Sequence, residues 1–242
     1  MNNNKTALIT GSYGGLGTCF TNVHAEKGGN LILVGRSQEK LNEQAESVKE
    51  KFGVEVHTIE IDLSIPDAAQ IIYDTCRKNN WTVDYLINNA GFGGQGDFAR
   101  ERTMEQDMSM IAVNIETPTR LCKLFLPDFI SRGNGKVLNV SSTAATMPGA
   151  MQTGFADAGG LSDTKLFANA VDPTAVAREG YEGMLDGKLI VTSGLISWQK
   201  PMMSLAPMFP KKMMLDFVYN QQTAGSAKKT DPGRHIFSKT AK

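Results

Sequence analysis

The stretch Thr10-Gly11-Ser12-Tyr13-Gly14-Gly15-Leu16-Gly17 restricts what this chain can fold into more than any other. It follows the apolar run Ala7-Leu8-Ile9 and leads into Leu16, Phe20 and Val23, spaced as on one helix face. A strand, a glycine-rich turn and a helix in that order open a dinucleotide-binding unit. Gly11 suits the tight turn. Gly15 and Gly17 let backbone approach a pyrophosphate and let the helix lie close on the sheet. The free N–H groups of that helix's first turn, with the Ser12 and Leu16 backbone beside them, make an anion site. Taken alone, the pattern also fits a glycine-rich loop that holds nothing.

The chain beyond it alternates between two periods. Leu31-Ile32-Leu33-Val34, within Asn30 to Gly35, reads as a strand buried on both faces. Ser37 caps a helix whose apolar stripe is Leu41, Ala45, Val48 and Phe52, and Gly53 ends it. Val54 to Ile61 alternates as a third strand, and Pro66 opens a helix carrying Ala69, Ile72 and Cys76. Val83 to Asn88 is a fourth strand, a long helix runs from about Met104 to Ile130, and Lys136 to Val140 is a fifth strand. Strands alternating with helices mean an α/β fold: a Rossmann-type, doubly wound parallel sheet with right-handed crossovers.

These elements carry a resemblance. Thr10-Gly-x-x-x-Gly15-x-Gly17, Asp62-Leu63 after the third strand and Asn88-Asn89-Ala90-Gly91 after the fourth resemble a short-chain dehydrogenase/reductase of the classical type. Asn114 in the long helix and Ser141-Ser142 after the fifth strand continue the match, which is good over residues 5 to 150. The resemblance implies hydride transfer between NAD(H) or NADP(H) and a small-molecule carbonyl or secondary alcohol. It makes Asp62 the acceptor of the adenine amine, with the Leu63 backbone beside it. It lays the Asn88, Ala90 and Gly91 loop along the cofactor. Asn114 would hold a water in a proton relay, and Ser142 (or Ser141, one register away) would polarise the substrate.

Two residues bear on the cofactor. Arg36 stands just past the second strand, where an NAD-type fold would carry an acid for the ribose hydroxyls. A guanidinium suits a 2′-phosphate, which favours NADP over NAD. Gly14 runs against this, because NADP-preferring relatives often place a basic residue there. Pro118 lacks the N–H that would bond the carbonyl of Asn114, so a free carbonyl and a local bend are expected.

The catalytic pattern breaks after Ser142. The resemblance calls for a Tyr about thirteen residues on and a Lys four beyond it, one helical turn away on the same face. Phe155 and Gly159 occupy those positions, and neither can transfer a proton or carry charge. No Tyr-x-x-x-Lys occurs anywhere in the chain. Residues 153–161 instead resemble the family's lid segment, which normally follows a sixth strand. The reading is a gap of about 45 residues, one helix and one strand with their turns. The family's dimer interface, built largely on that helix, is then damaged. Apolar surface around Met108, Ile111, Ile115, Cys122 and Leu126 is left partly bare. Lys188 to Thr192 reads as the last strand, expected to move beside the fifth.

Composition sets the remaining bounds. With 242 residues, one domain is expected: residues 1–194, with a lid-like insert at 153–172. A Met-rich helical segment at 195–220 and a disordered tail at 221–242 would follow. The 25 basic and 25 acidic residues balance, which argues against a nucleic-acid partner. Cys19, Cys76 and Cys122 are scattered over helices, as buried thiols in a reducing compartment rather than disulfides or a metal site. The polar start is not a signal peptide, and no run spans a bilayer, so a cytoplasmic location is expected. The open alternatives are a catalytically silent nucleotide-binding protein and a non-functional deletion product.

Overall fold

The computed structural model describes residues 4–94, 98–141 and 171–193. Its elements are β1 (Thr6–Thr10), α1 (Gly15–Glu26), β2 (Asn30–Gly35), α2 (Gln38–Phe52) and β3 (Val56–Glu60). Next come α3 (Ala68–Lys78), β4 (Tyr85–Asn88), α4 (Met104–Ile111), α5 (Thr117–Ser131), β5 (Lys136–Asn139) and α6 (Pro173–Leu185). The strands form one parallel sheet in the order β3-β2-β1-β4-β5.

The continuous apolar runs are explained by two covered faces. Ala7, Ile9, Leu31, Leu33, Tyr85 and Ile87 point to one side, against α1, α2 and α6. Leu8, Ile32, Val34 and Leu86 point to the other, against α3 and α5. Period-2 strands with helices on both sides need apolar side chains at every position. The helix ends follow local chemistry. The Ser37 hydroxyl accepts from the Lys40 N–H at 3.4 Å, and Gly53 closes α2 in the left-handed region at φ 66°. Pro66 lies in the turn before α3 rather than in it; the helix begins at Ala68.

The long helix is one rod with an interruption. A π-helical turn, Ala112–Glu116, joins α4 to α5 and contains Asn114. The Thr117 N–H reaches back to the Ala112 carbonyl, and Pro118 offers no N–H to Asn114. The missing donor expected from Pro118 is absorbed as a wide turn.

The expected last strand is not one. Residues 188–192 are not in a strand, and no described strand pairs with the outer edge of β5. The chain reverses at Gly187 (φ 71°), the Lys188 N–H bonds the Gly183 carbonyl at 2.9 Å, and Val191 packs against Gly183. The left-handed exit from α6 turns the segment back along its own helix instead of across to the sheet. The helix before it lies on the α1 side of the sheet, opposite the long helix. α6 lays Ala177, Tyr181 and Met184 on the sheet, beside Phe20 of α1.

Met108, Ile111, Ile115 and Leu126 are exposed, as expected for the outer face of the long helix; Cys122 is half-buried. Met104 and Ile130 extend that bare stripe at both ends. The three cysteines are free thiols within α1, α3 and α5. Among the described residues no helix is long and apolar enough to cross a membrane. The lid-like insert at 153–172 lies outside the described residues except at its last two positions; the Met-rich segment and the tail lie wholly outside them.

Candidate functional site

The strand order reverses direction between β1 and β4, and the crevice at their C-terminal ends is where such sheets bind ligands. The sequence places its motifs along that edge.

Gly11 adopts φ +63°, and its N–H bonds the Val34 carbonyl at 2.8 Å. A side chain on Gly17 would put its Cβ 2.1 Å from the Gly11 carbonyl oxygen. Helix α1 starts at Gly15 with Gly14 as N-cap, no side chain caps it, and no acid lies in its first turn. Its leading N–H groups are therefore the free donors an anion needs. The Ser12 hydroxyl is buried with no hydrogen-bond partner, while the Ser12 carbonyl accepts from Gln44 Nε2 at 2.8 Å.

Asn89 and Thr10 lock the β1 and β4 loops together, a pairing the sequence reading did not assign. Thr10 Oγ1 accepts from the Asn89 and Ala90 N–H groups at 3.1 and 3.0 Å. Asn89 Nδ2 donates to the Thr10 and Gly11 carbonyls at 3.0 and 3.1 Å. A strand-terminal Thr and a paired Asn inside the two quoted motifs were the available signal. Asn88 is buried and ties β4 to its neighbours: its Nδ2 donates to Asn139 Oδ1 at 2.8 Å and to Cys122 Sγ at 3.5 Å. Burial pushes the Cys122 thiol up from its ordinary range. Gly91 is exposed and Asn114 Oδ1 stands where its Cβ would point, at 3.2 Å.

Asn114 is engaged from the π turn. Its Nδ2 donates to the Phe92 carbonyl at 2.8 Å, and its Oδ1 accepts the Phe92 N–H at 3.1 Å. The side chain thus holds the loop after β4. Leu63 is buried, and its carbonyl accepts from Thr117 Oγ1 at 2.8 Å, fastening the loop after β3 to the same turn. Asp62 is exposed; its Oδ1 accepts from the Ser64 N–H and hydroxyl at 2.9 and 2.8 Å. The Ser64 backbone N–H, helped by its hydroxyl and by the Arg36 charge, holds the Asp62 carboxyl below the usual range.

Arg36 is exposed at the end of β2. Its backbone N–H donates to the Tyr13 hydroxyl at 3.0 Å, and the Tyr13 ring covers Gly35, whose Cβ would fall 2.3 Å from Cε1. Lys40 Nζ stands 5.8 Å from the ring centroid. Ser142, Phe155 and Gly159 lie outside the described residues. No cluster of metal-ligating side chains occurs among the described residues.

A parallel sheet with its glycine-rich turn at the switch point defines a doubly wound α/β protein. The short chain dehydrogenase family model matches residues 5–159, and the chain belongs to that family of oxidoreductases. It is 31% identical over 147 residues to a very-long-chain 3-oxoacyl-CoA reductase of Mus musculus, covering 59% of this chain and 46% of that one. It is 28% identical over 188 residues to a short chain dehydrogenase of Pseudocercospora fijiensis, covering 72% and 60%. The chain thus spans about half the length of the curated relatives it matches. A solved short-chain dehydrogenase from Sphingobium yanoikuyae, in complex with NADPH, superposes with a TM-score of 0.72 at 20% identity, covering 94% of this chain and all of that one. That likeness establishes the fold.

Proposed function

We propose that the chain binds NADP(H) at the β1–β4 crevice and descends from enzymes that move a hydride to or from a carbonyl or secondary alcohol. One observation carries the reading. The turn from Gly11 to Gly17 is left-handed at Gly11, leaves no room for a Cβ at Gly17, ends at an uncapped helix start, and encloses the buried Ser12 hydroxyl without a partner. Those features fit a pyrophosphate. Arg36 at the end of β2 supplies the guanidinium for a ribose 2′-phosphate. NADP and NADPH complexes among similar solved structures agree with it. Ser12, Gly15, Leu16 and Gly17 would hold the pyrophosphate. Asp62 and Leu63 would face the adenine, and Asn88, Ala90 and Gly91 would line the crevice floor. When bound, the nicotinamide supplies the hydride chemistry; this chain's residues bind and orient it. Asn114 braces the loop that lies along it. Ser142 is the residue assigned to polarise the substrate.

A second reading has its own observation. The chain has no Tyr-x-x-x-Lys, so no phenol–ammonium pair one helical turn apart exists to pass a proton. We read the helix and strand that would carry that pair as deleted, the family dimer face as damaged, and catalysis as impaired. The limiting case is a silent nucleotide-binding protein. Free thiols and the lack of an apolar span in the described helices support a cytoplasmic location.

Fluorescence titration with NADPH tests the first reading, and saturable binding is the expected result. A turnover assay with NADPH and a panel of aldehydes, ketones and 3-oxoacyl thioesters tests the second. Rates at background are expected; robust turnover overturns impairment.

A further inference from the structure

We propose that Tyr13 is a specificity residue for the ribose phosphate, its hydroxyl proton completing a three-donor cradle with Arg36 and Lys40. The inference rests on the NADP(H) reading above and deepens it at one end of the site.

The position of the ring is set by the backbone beneath it. Gly35 is the last residue of β2, and any side chain there would collide with the Tyr13 ring. The absence of a Cβ at Gly35 therefore lets an aromatic ring from the glycine-rich turn pack against the strand end. The ring is half-buried, while Arg36 and Lys40 are exposed beside it. The phenol is fixed by a hydrogen bond in which its oxygen accepts the Arg36 backbone N–H at 3.0 Å. That bond uses a lone pair and leaves the hydroxyl proton unspent. Arg36 carries the first cation at this strand end. Lys40, in the first turn of α2 and 5.8 Å from the ring centroid, carries the second.

A phenol anchored through its oxygen on the Arg36 backbone, with an ammonium over its ring, has its proton free for a dianion held by the Arg36 side chain. A phosphate monoester offers three anionic acceptors and the charge; a ribose hydroxyl offers one neutral acceptor and no charge. Two acids temper the site and sharpen the choice. The Asp62 carboxylate feels the Arg36 charge, and Glu60 accepts the Gln38 N–H at 3.2 Å. The Asp62 carboxylate thus offsets part of the Arg36 charge. A second cation and a neutral donor are then needed for a dianion to win. The same arrangement answers the objection raised by Gly14, where a basic residue is common in NADP-preferring relatives. Here Tyr13 and Lys40 stand in for that missing base.

Isothermal titration with adenosine 2′,5′-bisphosphate and with AMP isolates this end of the site from the nicotinamide end. The native chain should bind the bisphosphate at least about tenfold more tightly. Tyr13→Phe keeps the ring over Gly35 and removes only the hydroxyl. It should weaken the bisphosphate about five- to tenfold while leaving AMP within about twofold. Lys40→Gln should do the same through charge. Thermal melting of each unliganded variant checks that it folds as the native chain does. If the native chain binds neither nucleotide, the NADP(H) reading falls and the Tyr13 assignment with it. If it prefers the bisphosphate but Tyr13→Phe binds both probes like the native chain, only the Tyr13 assignment falls and Arg36 carries the selectivity. An equal loss for both probes makes Tyr13 a structural residue and also overturns the assignment.

Discussion

Single atoms decide the fit of the glycine-rich turn. The carbonyl oxygen of Gly11 lies 2.1 Å from where a Gly17 Cβ would stand, with Asn89 Nδ2 on another side at 2.9 Å. Neither neighbour can retreat, because Asn89 is held by two carbonyls. Gly17→Ala should therefore cost about 1–3 kcal/mol and abolish NADPH binding; urea denaturation and a binding titration read the two effects. Thr10→Val removes the oxygen that accepts two N–H groups and keeps the shape. A loss of about 1–3 kcal/mol is expected, and an unchanged urea midpoint would show that those groups find water instead. His24 sets a pH dependence. It is fully buried; its Nε2 donates to the Lys5 carbonyl at 3.0 Å and its Nδ1 accepts the Tyr181 hydroxyl at 2.5 Å. Burial lowers its pKa from 6.5 to about 4. The unfolded chain therefore binds this proton first as pH falls. Stability from this group is complete above pH 6.5, declines from there to about 4, and is flat below. The loss is on the order of 3 kcal/mol. Melting temperatures across that range should fall for the native chain and fall less steeply for His24→Gln.

Among elements, the rod made of α4, the π turn and α5 does the most to shape the crevice. One proline withholds a donor, the helix widens by a residue, and Asn114 is turned onto the backbone of Phe92. One residue past that turn, Thr117 reaches Leu63. Two loops of the candidate site are thus pinned from a single irregularity. Asn114→Ala should release the Phe92 N–H, an exposed pairing worth about 1 kcal/mol. Amide hydrogen exchange at Phe92 should accelerate about fivefold, while exchange in β1 and β2 stays as it was. Equal protection at Phe92 in both proteins would place the brace elsewhere. The reversal after α6 belongs to this scale as well. Lys188 to Thr192 has a strand's composition, yet the left-handed Gly187 commits the chain before any pairing is reached. Local turn geometry outweighs β propensity when the partner edge lies far along the chain.

The whole molecule shows an imbalance between its two sides. The sheet is covered on both faces, but the long helix leaves Met104, Met108, Ile111, Ile115, Leu126 and Ile130 in solvent. Exposed apolar groups spread along one helix in this way promote association. Sedimentation should show mass rising with concentration, and Ile115→Lys should reduce it; a strictly monomeric native chain at high concentration contradicts this. The sequence by itself determined the strand and helix order, the doubly wound class, the glycine cradle and the stripe on the long helix. Each of these follows from period, composition or a single residue's backbone freedom, which act over a few neighbours and are written along the chain. Only the tertiary structure decided that Asn89 clasps Thr10, that Tyr13 covers Gly35 and reaches Arg36, that His24 is sealed against Tyr181, and that residues 188–192 leave the sheet. Most of these join residues far apart in sequence, and even the turn at Gly187 takes its outcome from where α6 ends in space. Such pairings depend on distances that exist only once the sheet has closed.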